Sequence, residues 1–229
     1  MSEAATVACL LCGHPTQAFH HRGVGSASPG DYRRCRHCGL SMLEADAWLD
    51  REEERTYYKT HENRPGDPGY LLHLERLITP LTQAIPAPAT GLDWGCGPHP
   101  VLADRLRKKG YQMAAWDPAF GPALPAAPAD GWDFITCTEV IEHLHEPRAS
   151  LKAMLHRIRP GGVLAIMTEW LPEPRQFNRW HYRRDPTHVA FYSPNSLRWA
   201  AQHFGCTVDL PARGVALFTR SQCSDAEHP

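Results

Sequence analysis

Gly91-Leu-Asp-Trp-Gly-Cys-Gly-Pro-His99 is the stretch on which the reading of this chain turns. It enters through an apolar Leu92, carries an acid at Asp93, and places Gly95 and Gly97 just ahead of a helix-like segment over 101–109. Glycine lets a backbone turn sharply off a strand end and come close to a ligand. The amides that follow, near the positive end of a helix, can face polar or anionic groups. A Gly-x-Gly alone marks any tight strand-to-helix turn, so its surroundings decide. Upstream, Tyr70, Leu74, Leu77, Ile78 and Leu81 recur at helical spacing, which predicts an amphipathic helix over 69–83. Residues 90–94 read as the strand entering the glycine turn. Downstream, 111–116 reads as a strand ending at Asp117 and 132–136 as another. A helix over 148–159, a Pro160-Gly161-Gly162 turn and a strand over 163–168 follow.

In that order these segments resemble the class I S-adenosylmethionine-dependent methyltransferases, over roughly residues 70–220. The resemblance implies an α/β fold with a doubly wound, Rossmann-like sheet and the cofactor over the carboxyl ends of its strands, the usual ligand position in open α/β sheets. It implies that Asp93, Gly95, Cys96 and Gly97 form the loop that admits the methionine portion, with Asp93 ordering the loop and the cofactor's amino group. Asp117 is then the acid that accepts from the ribose hydroxyls, and Glu139 completes the cofactor set. Two departures stand out. His99 occupies the third glycine position, which could narrow the pocket. Only the proline- and alanine-rich 118–131 separates Asp117 from the next strand, so the third-strand region is abbreviated and Asp130 is the one weak candidate for an adenine-contacting acid.

The chain has 229 residues, of which 42% are hydrophobic, enough for one ordinary domain plus a small one. Its 24 Lys and Arg against 25 Asp and Glu give a formal charge of −1, so no global field argues for nucleic acid or an anionic membrane. No stretch approaches the roughly 20 apolar residues of a membrane span. The Met-Ser-Glu-Ala-Ala start lacks a secretory pattern, and a cytoplasmic location is expected.

Four of the eight cysteines form a repeated Cys-x-x-Cys-Gly design, Cys9 with Cys12 and Cys35 with Cys38. Intracellular chains use such pairs for metal more often than for disulfides. Four thiolates suit tetrahedral Zn²⁺ and leave no position open for chemistry, which predicts a structural zinc ribbon over 1–42. His14 and His37 each lie beside a better ligand and are expected at the surface. The ribbon's basic edge, Arg33, Arg34, Arg36 and His37, reads as solvated surface.

Residues 43–68 are expected to link and cover: an acidic helix over 43–55, then Tyr57, Tyr58 and His61 as candidate lid residues by the same resemblance. The domain proper is expected over 69–220, closing with a helix from Ser193 to about His203 and a hairpin of 206–210 and 215–220. A flexible tail over 221–229 follows.

On the acceptor side, Glu139, Glu142 and His143 would share one face of a helical turn. His143 is a candidate base, as in the ubiquinone-type O-methyltransferases, and His188 ranks beside it. Alternatively these carboxylates and His143, with His181 or His188, hold a divalent cation, as the small-RNA 3′-end methyltransferases do. The aromatic and arginine-rich stretch 175–192 would suit a planar or anionic acceptor. The resulting expectation is methyl transfer to an oxygen, nitrogen or carbon of a small molecule, with S-adenosylmethionine as cofactor and Zn²⁺ as a structural ion. An RNA methyltransferase, an NAD-dependent oxidoreductase and a non-catalytic zinc-containing binding module are the alternatives. The sequence leaves the oligomeric state open.

Overall fold

The computed structural model describes residues 7–20, 30–58, 66–121 and 123–222. His61 and positions 223–229 of the expected tail lie outside the described residues. Three short strands come first: β1 (Thr16–His20), β2 (Tyr32–Cys35) and β3 (Ser41–Leu43). A single 3-10 turn at Ala45–Ala47 leads to α1 (Arg51–Tyr58). This helix starts later than the acidic run suggests, because Asp50 makes the cap. Its Oδ1 accepts from the Glu52 and Glu53 amides at 2.9 Å, and Glu53 Oε2 accepts the Asp50 amide at 2.9 Å.

Helix α2 (Pro68–Ala84) starts at an Asp67 cap and buries Leu74, Leu77, Ile78 and Leu81, the stripe its spacing predicts. Then come β4 (Thr90–Trp94), α3 (Val101–Lys108), β5 (Gln112–Trp116) and β6 (Trp132–Thr138). They are followed by α4 (Pro147–Leu155), β7 (Ile158–Met167) and the single-turn α5 (Pro174–Phe177). The two-residue β8 (Ala190–Phe191), α6 (Pro194–His203), β9 (Cys206–Ala212) and β10 (Val215–Arg220) close the chain.

The main sheet runs β5-β4-β6-β7-β10-β9; the first four strands are parallel and β10 is antiparallel to both neighbours. Both faces are covered, and the side chains of β7 divide strictly between them. Val163, Ala165 and Met167 pack under α2 and α3, while Leu164 and Ile166 face α4 and α6. With no strand among the described residues of 118–131, β5 is an edge, as the abbreviated interval predicts. The expected turn at Pro160–Gly162 lies inside β7. Register jumps from Trp132↔Ile158 to Phe134↔Val163, so the strand absorbs the extra residues as an irregularity while keeping its partner.

A second sheet runs β1-β2-β3-β8, so the strands beside the cysteine pairs continue into residues 190–191. Leu11, Leu40 and the four paired cysteines share one apolar cluster with Ala190, Tyr192 and Leu197. Among the described residues no helix is long and apolar enough to cross a membrane.

Candidate active site

A cleft of about 920 Å³ opens at the carboxyl ends of β4, β5 and β6. At one end the glycine turn folds over β5, with the Gly95 and Cys96 amides donating to the Trp116 carbonyl at 2.8 and 3.2 Å. Gly95 and Gly97 have φ of 76° and 66°. A Cβ on Gly95 would lie 2.5 Å from Val140 Cγ2, whereas one on Gly97 would meet nothing within 4 Å. The first glycine thus seats the turn, and the second leaves its backbone bare toward open space.

Asp117 ties the two loops together: Oδ2 accepts the Gly97 amide at 3.0 Å and Oδ1 the Ala119 amide at 2.8 Å. Asp93 is 4% exposed, and its Oδ1 accepts from Thr136 Oγ1 at 2.8 Å. Burial lifts its carboxyl to about 6, against the lowering effect of that bond and of the Ala103 amide. Burial also pushes the Cys96 thiol up to about 12, so this sulfur is a neutral wall of the cleft. Trp94 and Trp116 pack edge-on at 4.6 Å, and the half-exposed Phe120 lines the rim beside Asp117.

The far end is rich in imidazole, phenol and carboxyl. Glu139 has φ 52°, the one non-glycine residue with positive φ among the described residues, and it sits at the tip of β6. Its carboxylate bridges His73 of α2 at 3.2 Å and the Tyr182 hydroxyl, which donates to Oε2 at 2.8 Å. Only Ile141–His143 forms a 3-10 turn, so Glu139, Glu142 and His143 do not share a helical face. Glu142 is fully buried and bonded through Oε1 to the Tyr182 hydroxyl, and among the described residues Oε2 meets no hydrogen-bond partner. Burial and the nearby Glu139 carboxylate hold its pKa well above the usual range. Tyr182 has one hydroxyl proton; with that given to Glu139, a neutral Glu142 supplies the proton in the second bond.

His143 Nδ1 lies 2.9 Å from Thr187 Oγ1 and 3.2 Å from the Thr187 carbonyl. His188 Nδ1 lies 2.7 Å from the Tyr182 carbonyl. The two rings meet edge-on at 4.5 Å. One ligand-capable atom each from Glu142, His143 and His188 falls within 4.8 Å of the others, a group that does not include His181.

The model of a methyltransferase domain matches residues 69–210, more than half of the chain. This chain belongs to the methyltransferase-domain family. Over 82 residues the methyltransferase is 32% identical to a ubiquinone biosynthesis O-methyltransferase of Serratia proteamaculans, covering 36% of this chain and 34% of the relative. Over 127 residues it is 28% identical to the enzyme of the same name from Xanthomonas axonopodis pv. citri, covering 45% of this chain and 53% of the relative. The matches therefore span a third to about half the length of these curated relatives. The solved 1,6-didemethyltoxoflavin-N1-methyltransferase of Burkholderia thailandensis, with its toxoflavin precursor and S-adenosylhomocysteine bound, is similar with a TM-score of 0.53. That match, at 14% identity, covers 80% of this chain and 96% of the other and shows a shared fold.

The methyltransferase brings Asp93, Gly95, Cys96, Gly97, Asp117, Glu139, His143 and His188 to one cleft, with Glu142 buried against its wall. His99 and Asp130 are exposed and line no part of it. Tyr58 reaches the cleft, its ring 5.3 Å from His143. His73, Tyr182, Thr187 and Asp185 escaped the sequence reading as site residues. The helical stripe of α2 marked its buried face only, and nothing local tells a loop tyrosine from a core one. Arg183 is fully buried over Tyr32 and Phe177, so this arginine of 175–192 packs the fold and does not face an acceptor.

The paired cysteines of the methyltransferase form two matching knuckles. The Gly13 and Gly39 amides close them onto the Cys9 and Cys35 carbonyls at 2.9 and 3.0 Å, with φ of 77° and 83°. All four sulfurs are buried and lie within 4.8 Å of one another. Cys12 and Cys35 are 3.4 Å apart and Cys9 and Cys38 3.6 Å, far beyond a disulfide bond. Hydrogen bonding from Cys38 draws the Cys9 thiol down to about 5 while burial pushes Cys12 up to about 12. His14 and His37 stack at 3.7 Å outside the cluster, and His37 Nε2 accepts from Trp199 Nε1 at 3.1 Å.

Proposed function

We propose that the protein transfers a methyl group from S-adenosylmethionine to a hydroxyl, or another nucleophilic oxygen, nitrogen or carbon, of a small molecule. The observation that carries the reading is one continuous cleft with two chemically different ends. The glycine turn, Asp93 and Asp117 form an end suited to a nucleoside and an amino acid. The His73, Glu139, His143, Tyr182 and His188 end is suited to a nucleophile. The cofactor would supply an electrophilic methyl on a sulfonium. The methionine portion would pass over the bare Gly97 backbone, its ammonium facing Asp93, and the ribose hydroxyls would meet Asp117, whose oxygens keep further lone pairs. Glu139 stands at the junction of the two ends and would align either ligand. In-line substitution asks the protein mostly to position the partners and exclude water, and Tyr58 and Tyr70 wall that space. His143 is the group we assign as proton acceptor, with His188 beside it and neutral Glu142 fixing the wall through Tyr182.

Titration calorimetry with S-adenosylmethionine, S-adenosylhomocysteine and NAD tests the reading. Micromolar binding of the sulfur ligands, weakened at least tenfold in Asp117→Ala, is the expected result. Binding of NAD alone would replace it with an oxidoreductase, and silence from all three with a binding module.

A second reading of the far end rests on the convergence of Glu142, His143 and His188, which suits a divalent cation. Stoichiometric Mn²⁺ or Co²⁺ uptake, lost in His188→Ala, would favour it.

We further assign the four paired thiols to structural Zn²⁺. The donor set matches: four buried sulfurs from two tight knuckles, all within 4.8 Å of one another. Such thiols persist in a reducing compartment, which supports a cytoplasmic location. Metal analysis of the purified chain should give one zinc per chain.

A further inference from the structure

We infer that Asp185 and Thr187 form a positioning relay that fixes the tautomer of His143, so that Nε2 is its proton-accepting atom. The inference deepens the transferase reading above and rests on it for the task His143 performs.

Hydrogen-bond direction carries the argument. A carbonyl oxygen only accepts, so the 3.2 Å contact from Thr187 O to His143 Nδ1 requires the ring proton on Nδ1. Thr187 Oγ1 has one proton, and it goes to Asp185 Oδ1 at 2.5 Å. That leaves Oγ1 as an acceptor toward Nδ1 at 2.9 Å. Asp185 Oδ1 also accepts the Thr187 amide at 2.9 Å, which locks the threonine rotamer by a ring closed within three residues. The sequence is thus Nδ1–H to Thr187 hydroxyl to Asp185 carboxylate. With the proton on Nδ1, Nε2 carries the lone pair, 4.0 Å from Glu142 Oε1.

The second carboxylate oxygen faces the neighbouring ring from beyond hydrogen-bond distance. Asp185 Oδ2 lies 3.9 Å from His188 Nε2, while His188 Nδ1 donates to the Tyr182 carbonyl at 2.7 Å. One aspartate thereby stands behind both histidines of the acceptor end. It is 17% exposed and Thr187 is fully buried, so the chain works with little competition from water.

In the reaction the acceptor's O–H proton passes to His143 Nε2 as its oxygen bonds the methyl carbon and the sulfur–methyl bond breaks. The products are the methyl ether, neutral S-adenosylhomocysteine and an imidazolium, and the positive charge of the sulfonium ends on His143. The Asp185 carboxylate, one hydroxyl away, stabilises that charge without itself taking the proton.

The test reads the tautomer directly and needs no turnover. Long-range proton–nitrogen NMR of the full chain labelled at histidine nitrogen, with His143→Gln to assign the signal, should show His143 as the Nδ1–H form. Thr187→Val should raise the Nε2–H population several-fold, and Thr187→Ser should restore the wild-type pattern. Asp185→Asn should move the same signal without touching the ring's immediate partner, which covers the case of an unfolded valine variant. Binding of S-adenosylhomocysteine reports that each variant is folded. An Nε2–H tautomer in the wild type, or folded Thr187→Val and Asp185→Asn variants with unchanged His143 signals, would overturn the relay. Wild-type transfer by His143→Gln would overturn the base assignment instead and leave the tautomer result standing.

Discussion

Asp93 is a carboxyl that the sheet removes from water and leaves beneath the glycine turn, with a pKa of about 6. Its folded pKa lies above its unfolded value near 4, so the folded state holds the proton more tightly than the unfolded chain. The stability associated with it is therefore present below pH 4 and is lost as pH rises through about 6, by roughly 2–3 kcal/mol. Asp93→Asn should flatten that slope, which thermal melts between pH 4 and 7 would measure. Cofactor binding should run the opposite way. An ammonium favours the ionised carboxylate, so affinity for S-adenosylhomocysteine should fall up to tenfold per unit below pH 6. Gly95→Ala adds a methyl 2.5 Å from Val140 Cγ2 at a φ of 76°, and calorimetry should show a loss of at least tenfold in affinity, about 1–3 kcal/mol of strain. These residues were legible in the sequence because a glycine turn after an apolar strand is local chemistry. Thr187 and His73 were not, because their partners lie 44 and 66 positions away in the chain and no periodicity encodes that; Asp185, two positions from Thr187, gains its role only through that threonine.

Between residue and molecule, the decisive element is β3. Its Ser41 and Met42 pair with Phe191 and Ala190, Leu43 takes the Val189 carbonyl at 2.9 Å, and the Val189 amide donates to the Glu142 carbonyl at 2.8 Å. The knuckle at Cys35 and Cys38 is thus one strand away from His188. Cys38→Ser, or removal of the metal we assign there, should speed amide exchange over 187–192 as well as over 32–43, and lower stability by several kcal/mol. Exchange mass spectrometry separates this outcome from a knuckle that unravels alone. The helices and sheet strands of 69–220 could be read from spacing and motif order. The two-residue β8 could not, since a strand that short has no pattern of its own and exists because β3 supplies its hydrogen bonds.

For the whole molecule, balance of charge limits what the surface attracts. With a net charge of −1, bulk transfer RNA should show no retention by the protein at physiological salt in a mobility-shift assay. Micromolar retention would instead revive a nucleic-acid substrate. The sheet order ends at β5 as the short 118–131 interval predicts, so the rim beside Asp117 is built from Phe120 and a turn in place of a further strand. Phe120→Ala should weaken S-adenosylhomocysteine several-fold while leaving thermal stability within a degree or two, because a half-exposed side chain adds little to folding.

Pairing of β3 with β8 also sets a timetable for synthesis. Residue 41 leaves the ribosome about 150 positions before its partner at 191, a wait of roughly 7–30 s at ordinary elongation rates. Throughout that interval the nascent amino-terminal strands present an unpaired edge and four thiols. Early capture of an ion would fold the knuckles ahead of the rest and protect their sulfurs until the polypeptide that completes the sheet has emerged.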